Sequence, residues 1–90
     1  MVKKPLYSKM SFMEYEIMNT IQFLHKKHIK ADLKAIFNQL DDDPKATIRG
    51  FIKDLARAKI IVYTKENGYK LTTKGLKHYR SFKRKWDSDD

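Results

Sequence analysis

Apolar residues recur along the first third of the chain with the period of a helix. Ile17, Ile21, Leu24 and His28 come at spacings of 4, 3 and 4, with Met13 and Met18 beside the stripe. This predicts an amphipathic helix from Ser11 to about Lys27. Ser11 and Glu14 occupy the two positions of a capping box, in which the hydroxyl accepts from the Glu14 amide and the carboxylate reaches back. After a short stretch in which Ile29 and Lys30 suit extended backbone, Asp32 is a good N-cap. Leu33, Ile36, Phe37 and Leu40 then fall at i, i+3, i+4 and i+7, one face of a second, two-turn helix. Asp41-Asp42-Asp43-Pro44 stops that helix and starts a third, with Asp43 as N-cap and Pro44 at the first helical position. Ile48, Phe51, Ile52 and Leu55 form its apolar face. About three residues separate the second helix from the third, a helix-turn-helix spacing.

The period then changes from helix to strand. In "IIVYTKENGYKLT", residues 60–72, Ile60, Val62 and Thr64 alternate with Ile61 and Tyr63, and Tyr69 and Leu71 face one way. Asn67-Gly68 favours a tight turn, because both residues tolerate positive φ. A two-stranded hairpin is marginal alone in water and has to lean on the helices. Thr72 or Thr73 caps a last helix in which Leu76, Tyr79, Phe82 and Trp86 recur at 3, 3 and 4, with basic residues between them.

Composition bounds the answer without changing it. Ninety residues make one domain. We divide the chain into a basic arm at 1–10, a domain at 11–86 and an acidic tail at 87–90. The chain has no cysteine, which excludes disulfides and thiolate metal sites. No apolar run reaches a membrane span, and the N-terminus lacks the apolar core of a signal peptide. A cytoplasmic protein is expected.

Twenty Lys+Arg against 11 Asp+Glu give a net charge of +9, which suggests a polyanionic partner. The positive charge belongs mostly to the C-terminal half. Between Glu66 and Asp87 there are seven basic residues and no acid. Acids gather at Asp41–Asp43 and in the tail.

The order helix, short extended stretch, helix, helix, strand, strand, helix resembles a winged helix-turn-helix domain of the kind found in small MarR- and PadR-like regulators and in phage proteins. Three stretches carry the resemblance. "KATIRGFIKDLARAKII" is similar to a recognition helix running into the first wing strand. "YTKENGYKL" is similar to the wing. "YKLTTKGLKHY" is similar to the Y-x-L-T-x-x-G phrase found after the wing. The match covers roughly residues 11–86 and is one of fold. It implies an α+β fold: a three-helix core, a two- to three-stranded β-wing and a C-terminal helix. One departure is evident. Such domains usually place glycine where the recognition helix ends, because that position needs left-handed backbone; here it is Lys59. That implies a different turn or mild strain.

The resemblance implies a DNA-binding protein, a small transcriptional regulator whose minimal size fits a phage or mobile element. Its third helix would enter the major groove. The exposed candidates there are Lys45, Thr47, Arg49, Lys53 and Arg57. Arg49 suits a bidentate contact to guanine, Thr47 a thymine methyl or a phosphate, and the lysines suit phosphates. The hairpin adds Lys65, Asn67, Tyr69 and Lys70, and Lys74 lies just beyond it. Tyr69 has two readings, packing on the core edge or stacking on a base. Gly50 also has two. In mid-helix it costs about 1 kcal/mol against alanine, which close approach to DNA or close packing on another helix would explain.

Other classes fit parts of the same pattern. Basic residues interleaved with Tyr63, Tyr69, Tyr79, Phe82 and Trp86 also suit single-stranded DNA, and some domains of this kind bind only protein. The last helix, basic with an aromatic side, suits an anionic lipid surface or packing on the first helix with a dimer seam. We expect no membrane role, and a homodimer through the terminal helices fits the resemblance. Trp86 is the candidate for a subunit contact or for base stacking. Catalysis is not expected. His25 and His28 lack a third ligand, Asp41–Asp43 read as a cap and solvated turn, and no nucleophile or phosphate-loop motif occurs. We expect no cofactor and no metal.

Overall fold

The computed structural model describes the backbone of residues 12–87 and the side chains of residues 12–84. The basic arm, Ser11 with its capping box, the end of the acidic tail and the Trp86 side chain lie outside the described residues. The chain is α+β: α1 (Phe12–Lys26), α2 (Leu33–Gln39), α3 (Lys45–Arg57), β1 (Ile61–Thr64), β2 (Gly68–Leu71) and α4 (Thr73–Asp87). The strands form one antiparallel two-stranded sheet with Ile61 opposite Leu71 and Thr64 opposite Gly68. The extended stretch before α2 is a single parallel bridge at Ala31, one residue past the expected position. The Ala31 amide donates to the Asn67 carbonyl (2.9 Å), and its carbonyl accepts from the Tyr69 amide (2.8 Å).

The periodic stripes become the core. Ile17, Met18, Ile21 and Leu24 of α1 meet Ile36 of α2, Ile48, Ile52 and Leu55 of α3, Ile60, Ile61 and Leu71 at the sheet, and Phe82 of α4, all buried. Each such side chain contributes about 1.5–3 kcal/mol of hydrophobic burial. The hairpin leans on this core as a two-stranded unit must. Ile61 and Leu71 share its inner face, and Tyr63 and Tyr69 continue that face outward, edge to face at 5.1 Å and 72°.

Helix α4 packs on α1 through aromatics. Tyr15 stacks on Tyr79 (5.7 Å, 16°) and tilts against Phe82 (6.0 Å). The Tyr79 hydroxyl donates to Asn19 Oδ1 (2.7 Å). The aromatic side of α4 is thus occupied by α1 as far as Phe82.

Two helix ends and the hairpin turn depart from expectation. Asp32 does cap α2, its Oδ1 accepting from the Ala35 amide (2.9 Å). At α3 the N-cap is Pro44 rather than Asp43, with ψ 133° and no side-chain cap; the extended proline turns the chain, and its carbonyl accepts the first helical bond, from Ile48 (3.1 Å). His28 does not extend the α1 stripe. It is exposed, just past the helix, with φ +61°. In the hairpin, Gly68 alone takes positive φ (+74°) and Asn67 does not. Residues 65–67 form the turn, and Thr64 closes it, Oγ1 donating to the Gly68 carbonyl (2.9 Å) and accepting from the Asn67 amide (3.1 Å).

Lys59 takes φ +66°, the left-handed backbone that the usual glycine would supply. The Ile60 amide bonds back to the Leu55 carbonyl (2.9 Å) and the Lys59 amide to Ala56 (3.0 Å). These two bonds are a Schellman motif. Holding a side chain in left-handed backbone costs about 1–2 kcal/mol. Thr72 supports this turn. Its Oγ1 donates to the Lys59 carbonyl (2.6 Å) and accepts from the Gly75 amide (3.0 Å), so Thr72, not Thr73, caps α4. A Cβ at Gly75 would collide with the Ile60 carbonyl. The Thr72-x-x-Gly75 phrase therefore has a steric and a hydrogen-bonding reason.

Candidate nucleic-acid interface

Helix α3 divides cleanly. Ile48, Ile52 and Leu55 are buried, while Ala46, Gly50, Lys53 and Arg57, at i, i+4, i+7 and i+11, run down the opposite face and are exposed. Thr47 and Asp54 flank this row on one side. On the other, Lys45 and Arg49 lean toward α2. The Lys45 ammonium lies 5.8 Å and the Arg49 guanidinium 5.9 Å from the centre of the Phe37 ring. Cations over an aromatic face are attracted to it, by about 0.5–1 kcal/mol at exposed sites. The spacing of Phe37 marks it only as part of the α2 apolar face; its second use has no signal in the periodicity.

For Gly50, close packing on another helix finds no support: an added Cβ would meet nothing within 4 Å, so no packing among the described residues requires glycine there. The residue sits on the exposed row between Ala46 and Lys53, where the helix presents its backbone.

The hairpin keeps Lys65, Asn67 and Lys70 exposed at its turn and on β2. Tyr69 is half-buried against the core and edge to face with Tyr63, which is the packing reading. Its carbonyl meets His25 Nε2 at 2.9 Å, a tie between α1 and β2 that the sequence did not signal. Tyr63 is the exposed aromatic of the hairpin, at 52%. Of the interleaved aromatics, Tyr79 and Phe82 are turned to α1.

Lys74 does not stand at the hairpin turn. Its Nζ donates to the Ala58 carbonyl (3.1 Å) at the C-terminus of α3, where a cation complements the helix dipole. One turn further along α4, burial holds the His78 imidazole below its ordinary value of 6.5, and the charge of Lys74 lowers it further. Basic residues thus gather at two places: along the outer side of α3 with the hairpin, and where α3 meets α4.

Among the described residues no three histidine or acidic side chains come together in a metal-binding group. No helix among them is long and apolar enough to cross a membrane. Compared with known proteins, the chain matches no family model and no curated protein sequence.

Proposed function

We propose that this chain is a winged helix-turn-helix DNA-binding protein, a small cytoplasmic transcriptional regulator with no catalytic step, in which α3 lies in the major groove and the β1–β2 hairpin is the wing. The observation that carries it is the outer row of α3. Gly50 costs the free helix about 1 kcal/mol, has open space around it, and is bracketed by exposed Thr47, Lys53 and Arg57. A surface that approaches the α3 backbone and carries negative charge accounts for both features, and a duplex groove is such a surface. Arg49, stacked beside Phe37, would be presented with its guanidinium edge free for a guanine. Lys45 and Lys53 would meet phosphates, as would Lys65 and Lys70 on the wing.

Fluorescence anisotropy across a salt series tests this, with random duplex and poly-dT as probes. Duplex binding that weakens steeply with salt is expected. Tighter binding to poly-dT would replace the regulator with a single-strand binder. No DNA binding at low salt would leave a protein-interaction module.

A further inference from the structure

The exits of α1 and α3 are the same backbone device and both carry cations, Lys26, Lys27 and Lys30 at the first, but at α3 a lysine of another element, Lys74 of α4, bonds into the exit. At α3 three consecutive positions lead the chain out. Arg57 ends the helix, Ala58 accepts the Lys74 ammonium at its carbonyl (3.1 Å), and Lys59 takes φ +66°. The Thr72 hydroxyl grips the Lys59 carbonyl at 2.6 Å, which fixes the backbone from which that side chain projects into solvent. Lys74 has a structural reason to be there, as a partner for the helix C-terminus. Lys59 has none, since glycine would take the same conformation without steric cost. Asp54, one turn back on α3, is the acid that shares this end of the helix.

We propose that Arg57, Lys59 and Lys74 form a clamp for a backbone phosphate of duplex DNA. It rests on the DNA reading above and extends the outer row of α3 beyond Arg57, its last member, to Lys59 and Lys74, a contact that sets register rather than reading bases. The chemistry suits a phosphate oxygen cluster. The Arg57 fork can take two oxygens at once. Lys59 supplies a point charge. Lys74 has three donors and uses one on Ala58.

The test compares wild type with Lys59→Ala, Lys59→Gly and His28→Gly, by thermal melting and by anisotropy on a random-sequence duplex over a salt series. Lys59→Ala keeps the left-handed strain and removes the charge. Its melting temperature should stay put while binding weakens several-fold and the salt slope falls by about 0.9. Lys59→Gly should melt a few degrees higher and lose the same binding. His28→Gly relieves the matching strain at α1 and should melt higher with binding unchanged. If both Lys59 variants bind as the wild type does, the clamp is wrong and the DNA reading stands. If the wild type fails to bind duplex at low salt, both fall together.

Discussion

Helices α1 and α3 end in the same way and are treated differently by the rest of the molecule. Each closes with a Schellman pair of backbone bonds, Ile29 to Leu24 (2.8 Å) and Ile60 to Leu55 (2.9 Å). Each puts a residue other than glycine in left-handed backbone, His28 at φ +61° and Lys59 at +66°. Shortly after each exit, a backbone presses on a glycine of a later element, Ala31 on Gly68 and Ile60 on Gly75. The difference lies in the residue next after the left-handed one. Ile60 is wholly buried and Ile29 is 46% exposed. The Thr72 hydroxyl and the Lys74 ammonium bond to the α3 exit. The backbone device is therefore local, but its anchoring is tertiary. The α3 exit is where a helix, a strand and another helix are joined, so it sets the direction in which the hairpin leaves α3.

That contrast can be broken in order of size. Ile60→Ala should cost about 4 kcal/mol, in the upper half of the range for an enclosed aliphatic side chain, whereas Ile29→Ala should stay within about 0.5 kcal/mol. Urea denaturation of the pair reads the difference directly. Next come the glycines. At Gly68 an added methyl meets the Ala31 backbone at 2.5 Å while φ is +74°, so Gly68→Ala combines overpacking with left-handed strain and should cost about 3 kcal/mol. Gly75→Ala meets a backbone carbonyl without the φ penalty and should cost about 2 kcal/mol. Thr72→Val removes the donor to Lys59 and the acceptor for Gly75 at nearly constant shape, a loss of about 1–2 kcal/mol in the same assay.

The smallest effect is one of pH and belongs to the α3 side alone. His78 titrates below its ordinary value of 6.5 in the fold, through burial and then Lys74. The unfolded chain therefore binds the proton first as pH falls. The stability contributed by the neutral imidazole is complete above about 6.5 and declines below it. Replacing His78 with Gln should flatten that acid-side decline in a series of melting curves, and an unchanged decline would assign it to other groups.

Much of this is legible in the sequence, and the part that is not has a common cause. Spacing locates all four helices, because each buries one stripe, and alternation locates the hairpin. Asp32 is legible as a cap because a side-chain oxygen before a helix has few other uses, but the same sign leaves Thr72 and Thr73 undivided and points to Asp43, where Pro44 is the N-cap instead. Lys59 stands where the helix exit needs left-handed backbone, and it adopts it. His28 gives no such sign, because its spacing from Leu24 continues the stripe and nothing in its chemistry says that the helix has already turned off. Asn67 beside Gly68 reads as a tight turn at those two residues, but the pairing of Thr64 with Gly68 and the Ala31 amide on the Asn67 carbonyl place the turn at residues 65–67. The candidate cations of α3 are legible as an exposed face. That Lys45 and Arg49 rest on Phe37, and that Lys74 belongs to the end of α3, depends on contacts between elements that no single element's period encodes.

The claim that the outer face of α3 meets DNA is tested most directly by one titration. Duplex binding is measured over a salt series for the wild type and for Lys53→Glu. Lys53 is exposed on that row, so its reversal should leave the fold intact, weaken binding throughout the series and lower the salt slope by about 1. Unchanged affinity at both low and moderate salt would mean that α3 is not at the DNA.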